Sequence, residues 1–413
     1  MRLEKYNLPD DWEWAKIGDF AKLIRGVSYK KDDASKDSKI GYLPILRANN
    51  INNNLIFDDL VYVPSERVKK EQIIHSGDIL ISMSSGSKHL VGKTAQAYGD
   101  YQGSFGAFCG LIRINGEVNK KFINFFFKSQ NYRRIISHLS KGININNLRR
   151  EYIESMPIPL PPFEAQKKIV EILEKAEKLK EWRAEADELA DEYLKSVFLE
   201  MFGDPALNPK NFPVKELKNF YSNKKPGTKC GPFGSALKKN EYVDSGVPVW
   251  IMDNIVNNHF IEEGCLYITE EKFNQLNSYS VDEGDIIISR AGTVGKMCIV
   301  TPSTLKSIIS TNLIRLSLDD SKILPIYFTF LMTHFKERIG NLKTGSDGSY
   351  TFMNTKVLDG LKIVIPPITL QNQFAQIVQQ IETLKSYQSH SKQEINNLFN
   401  TLMQKAFKGE LIC

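Results

Sequence analysis

The chain is written twice. Shifted by roughly 205 residues, its second half echoes the first in the same order. KIGDF (Lys16–Phe20) returns as ELKNF (Glu216–Phe220), and LPILRANNI (Leu43–Ile51) as VPVWIMDNI (Val247–Ile255). SGDILIS (Ser76–Ser82) returns as EGDIIIS (Glu283–Ser289), LIRI (Leu111–Ile114) as LIRL (Leu313–Leu316), and IPLPPFEAQ (Ile158–Gln166) as IVIPPITLQ (Ile363–Gln371). Colinear matches of this kind mark a tandem duplication. Such a chain folds into two equivalent units, and whatever surface one unit presents, the other presents as a variant.

Each unit has two parts. The first is strand-rich: GDILIS and GDIIIS are short apolar runs opened by a turn signal. Helical patches interrupt it at Lys120–Leu139 and Pro325–Leu342, which predicts a compact α+β domain. The second part opens on a proline pair (Pro161–Pro162, Pro366–Pro367), suited to a helix start because proline fixes φ and lacks a donor. A long helix comes next in each half, with a heptad seam in 3,4 steps. In the first the seam runs through Ile169, Ile172, Leu179, Tyr193 and Val197. In the second it runs through Phe374, Ile377, Ile381, Leu384, Ile395, Leu398 and Leu402. Mid-seam residues are polar or small: Arg183 and Ala186, Gln388 and Ser391. Helices of about 38 residues span roughly 57 Å, too long for one small domain to cover. The two helices therefore predict each other as partners in an antiparallel coiled coil with pseudo-twofold symmetry. The expected boundaries are 1–160, 161–203, 204–365 and 366–413.

Composition narrows the function. Net charge is +6, unevenly spread. Residues 1–160 carry 24 basic and 17 acidic side chains, residues 161–205 carry 7 and 12, and residues 206–365 carry 19 and 16. The strand-rich parts would attract a polyanion and the acidic helix between them would repel one. The five cysteines (Cys109, Cys230, Cys265, Cys298, Cys413) are scattered and form no CxxC. That argues against a disulfide framework or zinc site and fits a reducing cytoplasm. No apolar run reaches the roughly 20 residues of a membrane span, and the N-terminus lacks a signal-peptide core. No HExxH or GxSxG occurs, and the six histidines stand apart from cysteine and from one another. Gly86…Gly92-Lys93-Thr94 imitates a phosphate loop but spaces its glycines wrongly. No metal or resident cofactor is expected.

Taken in order and twice over, these residues resemble the specificity subunit of type I restriction–modification systems. The carriers are PIPLPPFEAQKKIVEILEKAEKL with KSVFLEMFGDP, VIPPITLQNQFAQIVQQIETL, the opening LPDDWEWAKIGDF, CGPFGSAL (Cys230–Leu237) and ISRAGTVGK (Ile288–Lys296). The resemblance spans nearly the whole chain. It implies that each strand-rich part is a target recognition domain reading half of a bipartite, asymmetric site on double-stranded DNA. It implies that the helices act as spacer and dock two methyltransferase (modification) subunits, with restriction subunits in the full complex. The chain itself would be non-catalytic, with S-adenosylmethionine and ATP held by the partners.

Loop residues able to hydrogen-bond bases or phosphates are the candidate DNA contacts. In the first half these are Ser28, Tyr29, Lys30, Lys31, Asn49, Asn50, Ser84, Ser85, Lys88 and Lys93. In the second they are Phe233, Gly234, Ser235, Lys238, Asn254, Arg290, Lys296, Ser346, Ser349 and Tyr350. MSSGSKHLVGKT has no counterpart of equal length in RAGTVGKM, so the two halves should read different bases. The alternative is an interaction scaffold whose domains bind protein rather than DNA.

Overall fold

The computed structural model describes residues 7–85, 90–141, 147–233, 236–335 and 353–412. The chain divides into two compact units, Met1–Ala184 with Ser389–Cys413, and Glu185–Gln388. These boundaries fall within the long helices rather than at their ends, so each unit comprises one strand-rich part and a portion of both helices.

The first unit contains β1 (Glu13–Lys16), β2 (Ala21–Arg25), β3 (Tyr42–Leu46), β4 (Val61–Pro64), β5 (Ile79–Ser82), β6 (Thr94–Gln96), β7 (Ser104–Phe105), β8 (Cys109–Ile114) and β9 (Pro157–Leu160). They form an antiparallel sheet β2-β8-β5-β6, a sheet β4-β3-β7 in which β3 and β7 run parallel, and the pair β1-β9. The second unit contains β10 (Val214–Glu216), β11 (Thr228–Cys230), β12 (Val247–Trp250), β13 (Ile255–Val256), β14 (His259–Phe260) and β15 (Leu266–Ile268). It continues with β16 (Ile286–Ser289), β17 (Met297–Ile299), β18 (Ile308–Ile309), β19 (Leu313–Leu316) and β20 (Lys362–Val364). Its sheets β11-β19-β16-β17 and β15-β12-β18 and its pair β10-β20 repeat the first unit's topology, with one added hairpin, β13-β14. In both units the first strand pairs with the last, placing the start of each long helix beside the domain's own entrance.

The recurring motifs form the frame of that topology. β5 and β16 are buried at every position, as continuous apolar runs predict. Each comes shortly after a glycine in the left-handed region, Gly77 (φ 86°) or Gly284 (φ 87°), which lets the next aspartate fold under the sheet. Asp78 accepts from Arg113 Nη2 (2.6 Å) and Nε (3.0 Å) and from the His75 N–H (2.8 Å). Arg113 also donates to the carbonyls of Glu71 and Ile73. Asp285 accepts from Ser317 Oγ (2.6 Å) and Lys225 Nζ (2.5 Å), while Arg315 donates to the carbonyls of Ser280 (2.6 Å) and Pro226 (2.8 Å). Desolvation lowers the Arg315 pKa, against the opposing pull of Asp285 and Asp282. Both networks pin a loop to a buried strand.

The long helices are Phe163–Phe202 and Ile368–Lys408. The glutamine after each proline pair is buried and ties the helix to its own domain. Gln166 accepts from the Asn119 N–H (2.7 Å) and donates to Pro161 O (2.8 Å). Gln371 accepts from the Leu324 N–H (2.9 Å) and donates to Pro366 O (2.9 Å). Asn119 and Leu324 are themselves the N-caps of the domain helices Lys120–Lys128 and Pro325–His334. Each long helix ends near a left-handed glycine, Gly203 (φ 78°) or Gly409 (φ 77°).

Within each unit the helices pack antiparallel. In the second unit Phe374 meets Phe198 and Phe202 (centroids 5.5 and 5.4 Å), while further along Lys385 pairs with Asp191 (2.6 Å). In the first, Lys180 lies 4.5 Å above the Phe399 ring, and Met403, Ala406 and Phe407 share a core with Ile169, Leu173 and Ala176. The heptad seam needs correction at four positions. Ile169, Val197 and Phe374 are buried, and Ile172, Ile377, Ile381, Ile395 and Leu402 are half-buried. Leu179 (40%), Tyr193 (52%), Leu384 (52%) and Leu398 (48%) are exposed, and Leu173, Leu194, Phe198, Val378, Phe399 and Met403 are buried instead. Each helix faces a globular domain as well as a helix, and its buried stripe turns toward that wider contact. No helix among the described residues is long and apolar enough to cross a membrane.

Candidate nucleic-acid interface

The frame places one hairpin loop at the same point of each unit. After β5, Ser82 N–H donates to Lys93 O (2.9 Å) and Gly92 N–H donates to Ser82 O (2.8 Å). After β16, Ser289 N–H donates to Lys296 O (2.8 Å) and Gly295 N–H to Ser289 O (2.9 Å). The loop between these pins runs from Met83 in one unit and from Arg290 in the other, and is longer in the first. Beyond Lys93 the chain enters strand β6, paired back on β5, and Thr94 is buried there. A phosphate loop would run on into a helix, so the resemblance at Gly86–Thr94 does not extend to the fold.

Neighbouring loops converge on each hairpin. In the first unit Phe108 O accepts from the N–H groups of Met83 (2.9 Å) and Ser84 (3.0 Å), and Met83 O accepts from the Leu148 N–H (2.7 Å). Ser84 bridges Asn147, and Val27, at the start of the Ser28–Lys31 loop, bridges Gly106. A cleft of about 510 Å³ here is lined by Arg25, Met83, Asn147 and Arg149 among others. In the second unit Arg290 N–H donates to Asn312 O (2.9 Å) and Arg290 O accepts from the Met353 N–H (3.0 Å). The same backbone junction thus carries methionine in one unit and arginine in the other. The Arg290 guanidinium stacks 4.5 Å from the exposed Phe233 ring, and its Nε and Nη1 have no hydrogen-bond partner among the described residues. Both of these atoms are buried, and the Phe233 ring holds the cation in place.

The remaining candidates divide clearly. Ser28, Lys30, Lys31, Asn49, Lys238 and Lys296 are exposed, and Tyr29, Ser84, Ser85 and Lys93 are half-buried. Burial raises the Tyr29 hydroxyl pKa. Lys88, Gly234, Ser235, Ser346, Ser349 and Tyr350 lie outside the described residues. Asn50 and Asn254 are corrections: they are buried (1% and 0% exposed) and their amides serve the fold. Asn50 accepts from the Arg47 N–H (2.8 Å) and donates to the carbonyls of Ile56 (2.9 Å) and Asp58 (2.8 Å). Asn254 accepts from the Ile251 N–H (2.8 Å) and donates to Ile261 O (2.7 Å). Arg25 and Arg149, exposed on the first unit's cleft, were missed from sequence. The Arg149-Arg150 pair just after a Gly/Asn-rich loop was the available signal, although Arg150 is tied to Glu154 (2.7 Å).

Nucleophiles are subdued. Burial pushes the Cys109 and Cys298 thiols up to about 12, which leaves little thiolate near neutral pH. Among the described residues no group of three or more His, Cys, Asp or Glu side chains is placed to hold a metal ion.

Known proteins share this plan. The sequence profile of the type I restriction modification DNA specificity domain matches residues 9–186 and 231–397. The chain is 31% identical to the type I restriction enzyme StySPI specificity subunit of Salmonella potsdam, covering 99% of this chain and 91% of that one. It is 32% identical to the EcoKI specificity subunit of Escherichia coli K12, covering 98% and 90%. A chain from a solved type I restriction–modification system superposes with a TM-score of 0.61 at 19% identity, covering 98% of this chain and 100% of that one, which supports the fold. The double profile match and the end-to-end relatives establish that the chain belongs to the specificity subunits of type I restriction–modification systems, the non-catalytic subunits of those enzymes.

Proposed function

We propose that the strand-rich parts, residues 1–160 and 204–365, are target recognition domains that each read one half of a bipartite, asymmetric site on double-stranded DNA. The observation that carries this reading is one frame with two different loops. Backbone bonds of Ser82 with Gly92 and Lys93, and of Ser289 with Gly295 and Lys296, pin equivalent hairpins, yet one hairpin begins at Met83 and the other at Arg290. Unlike side chains presented from like positions are what two unlike half-sites require. The proposed contacts are Ser28, Lys30, Lys31, Ser84, Ser85 and Lys93 with Arg25 and Arg149 in the first domain. In the second they are Phe233, Lys238, Arg290 and Lys296.

The helices, residues 161–203 and 366–413, would dock two modification subunits. The seam positions that are exposed, together with Trp182 and Tyr387 beside the seam, support this. Leu179, Trp182 and Tyr193 (40, 54 and 52% exposed) lie on the first helix, and Leu384, Tyr387 and Leu398 (52, 73 and 48%) at the corresponding positions of the second. Two equivalent apolar stripes suit two copies of one partner. S-adenosylmethionine and ATP would sit on the modification and restriction subunits, and the assembly would work in the cytoplasm.

The test is co-expression with the modification subunit and genome-wide mapping of methylated adenines. A bipartite, non-palindromic motif that appears only with this chain is expected. A stable complex without sequence-specific methylation would favour the protein-binding scaffold instead.

A further inference from the structure

The first unit has a second basic surface, on its helices. A groove of about 580 Å³ lies between the loop Asn52–Asn54, the end of the hairpin at Gly92–Thr94, and both long helices. Its walls carry six cations, Lys93, Lys128, Arg133, Lys180, Arg183 and Lys392, against two carboxylates, Glu177 and Glu181. Lys128 is neutralised by Glu177 (2.7 Å). Lys180 is held over Phe399 and Lys392 is exposed. Small-molecule sites are mostly apolar with a few placed polar groups. This groove is the reverse, with charged residues and five asparagines outnumbering four apolar ones. Clustered cations closer together than a Debye length act jointly on a polyanion.

The duplication supplies an internal control. At the equivalent positions of the second unit stand Lys296, Lys385 and Lys195 against Glu382, Asp187 and Asp191. Lys385 is clamped there by Asp191 (2.6 Å) and Glu382 (2.9 Å). Where the first unit's second helix offers Lys392 and Asn396, the second unit's first helix offers Asp187 and Asp191. The counterpart of Arg133 lies outside the described residues. Duplicated surfaces that differ in charge while their frames agree have separate tasks.

We propose that the groove of the first unit cradles the phosphodiester backbone of the duplex, and that the second unit lacks this grip. Lys93 belongs both to the hairpin proposed to read bases and to the groove wall. A duplex engaged by the hairpin would therefore bring its flanking phosphates to Lys180 and Lys392. This rests on the DNA-reading function proposed above. It adds a sequence-independent contact on the helices, on one side of the subunit only.

The experiment uses the complex with modification subunits and a 40-base-pair duplex of arbitrary sequence, with affinity measured by fluorescence anisotropy across salt. Each phosphate contact contributes about 0.9 to the log–log salt slope. The K180Q/K392Q variant is expected to lower the slope by about 1–2 and binding at low salt by roughly tenfold. Its methylated motif should not change, and K180R/K392R should retain the wild-type slope. An unchanged slope in a folded K180Q/K392Q complex would overturn the proposal. So would loss of the modification subunit from that variant, which would make the groove a protein-docking site. If the wild-type complex itself showed no salt-dependent binding, the DNA-reading function would fail first, and the two failures are distinct.

Discussion

Gln166 and Gln371 show how much one side chain can hold. Each satisfies a part-buried N–H at a domain helix and a buried proline carbonyl at the start of a long helix. An unsatisfied buried group costs ~1–3 kcal/mol. Gln371→Leu keeps the volume and strands both partners, so it should destabilise the second unit by ~2–4 kcal/mol. Calorimetry of the purified chain would show its transition several degrees lower, and an unshifted transition would remove the glutamine from this role. The role proposed for Arg290 is contact with DNA rather than stability. Arg290→Met copies the first unit's residue. It should relax discrimination at one base pair of the second half-site by ~1–3 kcal/mol and leave the first half-site untouched. Methylation mapping reads both halves at once, and relaxation in the first half would contradict the assignment. Some residues were misread from sequence for a physical reason. Asn50 and Asn254 look like loop readers because an asparagine that caps a buried turn and one that faces solvent occupy the same kind of turn-rich stretch. Arg113 and Arg315 were legible in principle, since a cation inside the buried run LIRI or LIRL must find a partner, yet only the structure shows Asp78 and the loop carbonyls.

At the scale of elements, the helices were legible in position and the seam only in part. The proline pairs and the 3,4 spacing placed both helices within a few residues of their observed limits. The spacing could not show which apolar stripe faces the domain, because a heptad pattern assumes that the only neighbour is another helix. Leu194 and Phe198 are buried where Tyr193 was expected, and that one-position turn frees Tyr193 and its counterpart Leu398. The exposed stripes lead to a prediction. Trp182→Ala with Tyr387→Ala should weaken docking of both modification subunits while leaving the helix pair intact, because neither ring is in the core. Truncating an aromatic anchor at an interface costs ~2 kcal/mol or more, so the double variant should elute from size-exclusion chromatography with less bound partner at micromolar concentration. Full stoichiometric recovery of the complex would show that the subunits dock elsewhere.

For the whole molecule, the duplication was the most legible feature, because repeated frame residues must preserve geometry while loops need not. Loop contacts were the least legible: whether a serine or lysine touches a base depends on angles that spacing does not encode. The duplication also makes the recognition reading testable at its own scale. Each domain enters and leaves through the same strand pair, β1-β9 or β10-β20, and each hands over to its helix through the same glutamine. The segment between those strands should therefore be exchangeable as a block. A chain in which residues 21–154 replace the corresponding block of the second unit, leaving β10, β20 and both helices native, would carry the first domain twice. With the modification subunit it should methylate a site containing the first half-site twice, and the native second half-site should vanish from the motif. Persistence of the native second half-site in a folded chimera would mean that the bases are read by something other than the exchanged block, with the helices or the partners as the remaining candidates.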